Sequence, residues 1–148
     1  MALVGVLGFV VWKNFINKPA TPAATSTNSG LTTLNISELG VGVLYDKSLP
    51  AISYTFHKAS NGVAGYADVT SQDLVGTSCV GDIGSIAQVI QNPTSTSNFS
   101  ESPIVATVTI NSTKYVLTLS GSNCTNDKTL LSQYQSSIEK NFLNLKAE

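Results

Sequence analysis

Arginine is absent from this chain of 148 residues, charged side chains make up 11% of it, and it holds a single histidine. The formal net charge is −1. A soluble domain ordinarily draws about a quarter of its residues from Asp, Glu, Lys and Arg, and a nucleic-acid surface needs a clustered basic face. No nucleic-acid partner is therefore expected. Aromatic residues, at 7%, fall mostly at core-facing positions, so no stacking platform for bases or sugars stands out. Two cysteines, Cys79 and Cys124, are too few and too far apart for a structural zinc site. The sequence contains no G-x-S-x-G, P-loop, dinucleotide fingerprint or H-E-x-x-H. The expectation is a protein without a metal or cofactor, and not an enzyme.

What the chain does contain is Ser, Thr and Asn in abundance and a greasy start. Residues 2–12 carry only Ala, Leu, Val, Gly, Phe and Trp, and Phe15 and Ile16 follow Lys13 and Asn14. A helix apolar on every side does not rest on the surface of a soluble domain. The run is shorter than the roughly 20 residues a bilayer span needs, and it lacks the basic start of a signal peptide. The expectation is a retained membrane or assembly helix over residues 1–17, part of a longer hydrophobic helix, with Leu3, Val4, Gly5, Leu7, Gly8, Phe9, Val11, Trp12 and Phe15 as its contact residues. Gly5 and Gly8 would permit close helix approach. Residues 18–33, with Pro19, Pro22 and a Thr/Ser/Asn/Gly run, read as a flexible linker.

From residue 34 to 148 the pattern is that of an α+β domain. Leu34 and Ile36, then Val41, Val43 and Tyr45, then Tyr54 and Phe56 alternate with polar neighbours and predict strands, with residues 64–70 as another. Ser71, Gln72, Asp73 and Leu74 suggest a capped helical turn; residues 86–90 suit a strand or a short helix. Residues 92–102 form a polar loop. Ile104, Ala106, Val108 and Ile110 share one face of a strand, and Tyr115, Leu117 and Leu119 one face of the next, with Asn111-Ser112-Thr113 as the turn. Leu131, Tyr134, Ile138, Phe142 and Leu145 then recur at helical spacing, with Thr125, Asn126 and Asp127 as candidate caps. The predicted architecture is an N-terminal apolar helix, a linker, and an antiparallel sheet packed against a C-terminal amphipathic helix.

An even cysteine count beside an export-type leading segment suggests one disulfide, Cys79–Cys124, formed in an oxidising compartment; two buried free thiols are the other reading. His57 is expected at the surface. Asp68, Asp73 and Asp82 match no calcium-loop spacing and read as solvated loop carboxylates. Asn35, Asn98, Asn111 and Asn123 each open an N-x-[ST] match, weak signals in so Ser/Thr/Asn-rich a chain.

The stretch from Val6 to Ile16, where an apolar run passes into Trp12-Lys13-Asn14-Phe15-Ile16, resembles the second half of the leading helix of type IV pilins, minor pilins included. It departs from that family at position 5, where Gly5 stands in place of a Glu. Residues 34–41, the two cysteines and the terminal helix are also similar to single-pass anchored surface proteins of small host-attached bacteria. The resemblance implies a non-enzymatic cell-surface structural protein, a pilin-like filament subunit in adhesion or motility. Its partners would be copies of itself or other pilin-like subunits, membrane lipid and an unidentified host-surface ligand. The alternative is a monomeric anchored binding module that touches its ligand through the loop at residues 92–102.

Overall fold

The computed structural model describes residues 30–93 and 102–147. These form eight strands and one helix: β1 (Leu31–Ile36), β2 (Val41–Asp46), β3 (Ser53–His57), β4 (Tyr66–Thr70), β5 (Ser85–Gln91), β6 (Ile104–Ile110), β7 (Thr113–Leu119), α1 (Lys128–Phe142) and β8 (Lys146–Ala147). The strands are divided between two sheets. One has three strands in the order β1-β2-β8, the other five in the order β3-β4-β5-β7-β6, and every pairing is antiparallel.

The predicted fold class, an α+β chain with an N-terminal apolar helix, a linker and one antiparallel sheet packed against a C-terminal helix, is corrected by this architecture. The described chain is mostly antiparallel β, in two sheets, with one helix near its C-terminus. The leading segment, with Leu3, Val4, Gly5, Leu7, Gly8, Phe9, Val11, Trp12 and Phe15, lies outside the described residues. Among the described residues no helix is long and apolar enough to cross a membrane. β1 begins at Leu31, inside the stretch read as linker, because Leu31, Thr32 and Thr33 pair with Asp46, Tyr45 and Leu44. The segment at residues 86–90, readable as strand or helix, is the central strand β5, hydrogen-bonded on both sides.

One helix serves both sheets. α1 packs along β2 of the smaller sheet and against β5, β6 and β7 of the larger. Its stripe of Leu131, Tyr134, Ile138 and Phe142 is buried, as is Leu145 just beyond it. These side chains meet Ile36, Val41 and Val43 from one sheet and Ala67, Val69, Ala87, Val89 and Leu117 from the other in a single core cluster. Truncating one of the large members, such as Phe142 to Ala, costs about 3–5 kcal/mol in comparable cores. Asp127 caps α1, its side chain accepting from the Leu130 amide at 2.8 Å. Ser137 ties α1 to the smaller sheet by accepting from the Asp46 amide at 2.8 Å.

Strand alternation gives the five-stranded sheet two unlike faces. Ala67, Val69, Ala87, Val89, Tyr115 and Leu117 point into the core. The register places Thr55, Asp68, Gln88 and Thr118 in one row across the other face and His57, Tyr66, Ile90 and Val116 in the next. Ile90 and Val116 join Ala64 and Tyr66 in a second, smaller apolar cluster there.

Candidate functional site

Cys79 and Cys124 are bonded, with their Cα atoms 5.3 Å apart and a sequence separation of 45. The bond joins the β4–β5 connection to the segment that enters α1. A cystine of this kind belongs to an oxidising environment, extracellular or periplasmic.

The region around it is held from several sides. Ser71 caps a short 3-10 turn at Gln72–Leu74, its hydroxyl accepting from the Asp73 amide. The Ser71 amide donates to the Gly84 carbonyl at 2.9 Å. Asp82 turns back under its own loop: one carboxylate oxygen accepts from the Gly76 amide at 2.7 Å and the other from the Gly84 amide at 3.0 Å. From the other side of the disulfide, the Thr125 hydroxyl donates to the Leu74 carbonyl at 3.1 Å. A side chain at Gly76 would collide with the Cys124 carbonyl, and one at Gly84, whose φ is +66°, with the Ser71 carbonyl. Both positions are therefore closed to larger residues. Below them Tyr134, fully buried, donates to the Pro50 carbonyl at 3.0 Å and stands 3.3 Å from the Ser71 hydroxyl. Burial pushes the Tyr134 hydroxyl above its ordinary pKa, so it stays a neutral donor.

On this fixed base stands an apolar tip. Val80 is wholly exposed and Ile83 is 48% exposed. Asp82, between them, is turned inward to the two amides. Residues 76–84 and 120–126 contain no lysine or arginine. The tip thus carries two exposed aliphatic side chains in a loop that offers Gly, Ser and Thr beside them and no cation. Protein contact surfaces have the same plan, depleted of charge at the core and polar around it.

A second cluster lies on the outer face of the five-stranded sheet. His57 Nε2 is 2.9 Å from Asp68 Oδ2, and the Gln88 amide nitrogen donates to Asp68 Oδ1 at 2.7 Å. The His57 ring stacks on Tyr66 with centroids 4.5 Å apart. Burial, with the Asp68 charge added, raises the Tyr66 hydroxyl above its ordinary pKa. Both oxygens of Asp68 are thereby used, and the cluster ties the edge strand β3 to β4 and β5. Beside it Thr118 Oγ1 is buried without a hydrogen-bond partner among the described residues. His57 is at the surface as expected, but Asp68 is in a strand and nearly buried rather than in a solvated loop. Asp68 and Asp82 serve different networks, Asp73 is exposed, and no group of His, Cys, Asp and Glu suited to a metal occurs among the described residues.

A third feature is an open groove of about 660 Å³ between β6 and α1, lined by Val105, Ala106, Glu139, Lys140 and Leu143 among others. Of the polar loop expected to contact a ligand, residues 94–101 lie outside the described residues. Asn92, at its start, accepts from the Lys114 amide at 2.9 Å. Sequence reasoning named the two cysteines but not Val80 and Ile83. Their signal was available: two aliphatic residues in a Gly- and Ser-rich loop with no periodic partners. Comparison with protein-family models, curated proteins and solved structures finds no match for the chain.

Proposed function

We propose that this chain is a non-enzymatic domain displayed outside the cytoplasm that works by binding, with the cystine-pinned loop as its contact element. The observation that carries the reading is Val80, fully exposed on a loop fixed by the disulfide and by both oxygens of Asp82. A loop ordered before contact loses little conformational entropy on binding, and an aliphatic anchor of this kind suits a small apolar pocket on a protein of the facing surface. Surface adhesion is the role that fits a rigid domain of low charge and an oxidising compartment.

The test is attachment. Beads coated with the full chain are compared with beads carrying Val80→Asp together with Ile83→Asp, on whole-cell surfaces. The reading expects the double variant to attach about tenfold less at equal coating, the effect of losing a contact worth about 1.4 kcal/mol. Equal attachment by both would overturn it. A filament-subunit form of the same surface role, joining copies through residues 1–17, is supported by the likeness of Val6 to Ile16 to pilin sequences. Electron microscopy of the full chain, with and without those residues, tests it.

A further inference from the structure

The four outer strands of the two sheets end in different ways. β8 is two residues long. β1 runs into Ser37 and Glu38, and the Glu38 carboxylate accepts from Tyr54 of β3 at 2.8 Å. β3 carries the His57–Asp68 pair and is followed by Lys58. β6 follows Pro103 and starts with a bulge at Val105, but from Ala106 to Ile110 it has none of these devices. Its seven residues, Ile-Val-Ala-Thr-Val-Thr-Ile, include no charge and no proline. Natural edge strands are usually kept apart by such residues, by shortness or by a cover, and an uncharged apolar edge is a template for another strand.

The register shows which backbone groups point away from β7. Ile110 pairs with Thr113 across the two-residue turn Asn111-Ser112, and Val108 pairs with Tyr115. In an antiparallel ladder, hydrogen-bonded pairs alternate with pairs whose N–H and C=O point away, so Thr107 and Thr109 direct theirs outward. Among the described residues no hydrogen bond reaches β6 from any strand but β7. The edge also has an apolar flank. Val105, the extra residue of a bulge between Ile104 and Ala106, lines the groove against α1, and Leu143 is 68% exposed at its lip.

We propose that β6 is the joining edge of a two-fold homodimer, in which two copies pair β6 to β6 antiparallel and continue the five-stranded sheet into one of ten strands. A two-fold contact sets each surface against its own copy. A charge near the axis would then stand close to its like, and β6 carries none. The lip of the groove holds one residue of each sign, Glu139 and Lys140, so a copy can answer charge with opposite charge. The same pairing brings the apolar flank of each protomer over that of the other. This inference is independent of the cystine loop.

The test follows amide hydrogen exchange at Thr107 and Thr109 in the full chain over a dilution series, with sedimentation measured alongside. The expected result is exchange slowed about tenfold or more as the chain passes from monomer to dimer. Thr107→Pro, which removes an outward donor without touching a β6–β7 bond, and Thr107→Lys should both abolish that protection. Thr107→Val should keep it. Thr107→Lys leaves the backbone intact, so it decides the matter if the proline variant folds poorly. Free exchange of both amides at every concentration overturns the proposal, even where the chain associates, because association then runs through other residues. Protection that persists where the chain sediments as a monomer also overturns it, since the edge would then be covered by the same chain.

Discussion

The cystine end of the molecule and the β6 edge show opposite ways of treating an exposed apolar segment. At the cystine end the backbone is tied down at several points. A disulfide, two bonds from the Gly76 and Gly84 amides to Asp82 and the Ser71–Gly84 contact fix the loop, and the aliphatic side chains of Val80 and Ile83 are held out in water. At β6 the side chains are half-covered, while the outward backbone of Thr107 and Thr109 meets no other strand among the described residues. A surface of the first kind recognises by shape, since nothing in it needs to fold on contact. A surface of the second kind recognises by strand addition, where main-chain bonds supply affinity.

The comparison can be broken most severely at the disulfide. Replacing Cys124 by Ser should cost about 4 kcal/mol on the chain-entropy model for a 45-residue separation, read as a fall in urea midpoint, while β6 keeps its exchange behaviour. Gly84→Ala comes next. Its φ of +66° and the Ser71 carbonyl in the path of a Cβ should together cost roughly 2–3 kcal/mol, measured by thermal melting. Asp82→Ala leaves the Gly76 and Gly84 amides without their acceptor and should cost about 1–2 kcal/mol, with faster exchange at both amides. Val80→Ser should change stability by less than about 0.5 kcal/mol while weakening attachment, which separates display from structure.

Acid gives a gentler probe. The Glu38 carboxyl is held below its ordinary 4.5 by its own backbone amide and by the Tyr54 hydroxyl, and Asp46 below its ordinary 3.8 by the backbone and then the hydroxyl of Ser48. A carboxyl whose pKa is lower folded than unfolded stabilises fully above the unfolded value and loses that contribution as pH falls through the folded one. The urea midpoint should therefore hold from pH 7 to about 5 and decline below the ordinary carboxylate range. Asp46→Asn should flatten its share of that decline.

Much of the local structure was legible because the signals were local. The alternation of Val41, Val43 and Tyr45, the turn after Ile110, and the helical spacing from Leu131 to Phe142 each report one element. So does Ser71 as the cap of the 3-10 turn. The split into two sheets was not legible, because alternation tells which face of a strand is buried and not which strand lies beside it. That choice is made by α1, whose stripe covers β2 on one side and β5 to β7 on the other. Asp68 was misread for a related reason. Its partners His57 and Gln88 are 11 and 20 residues away, a pairing that register creates and no short motif records. The cysteine pair was read correctly from count and setting, whereas the signal of Val80 and Ile83, aliphatics in a Gly- and Ser-rich loop, is one that a search for periodic patterns passes over.

The rigidity of the cystine-pinned tip rests most directly on the Gly76 and Gly84 amides, both bound by Asp82. Their hydrogen exchange should be followed in the oxidised full chain and again after reduction with a thiol. Slow exchange in the oxidised chain that becomes fast on reduction, with β4, β5 and β7 still protected, is the result predicted. Fast exchange at both amides while the disulfide is intact would contradict it.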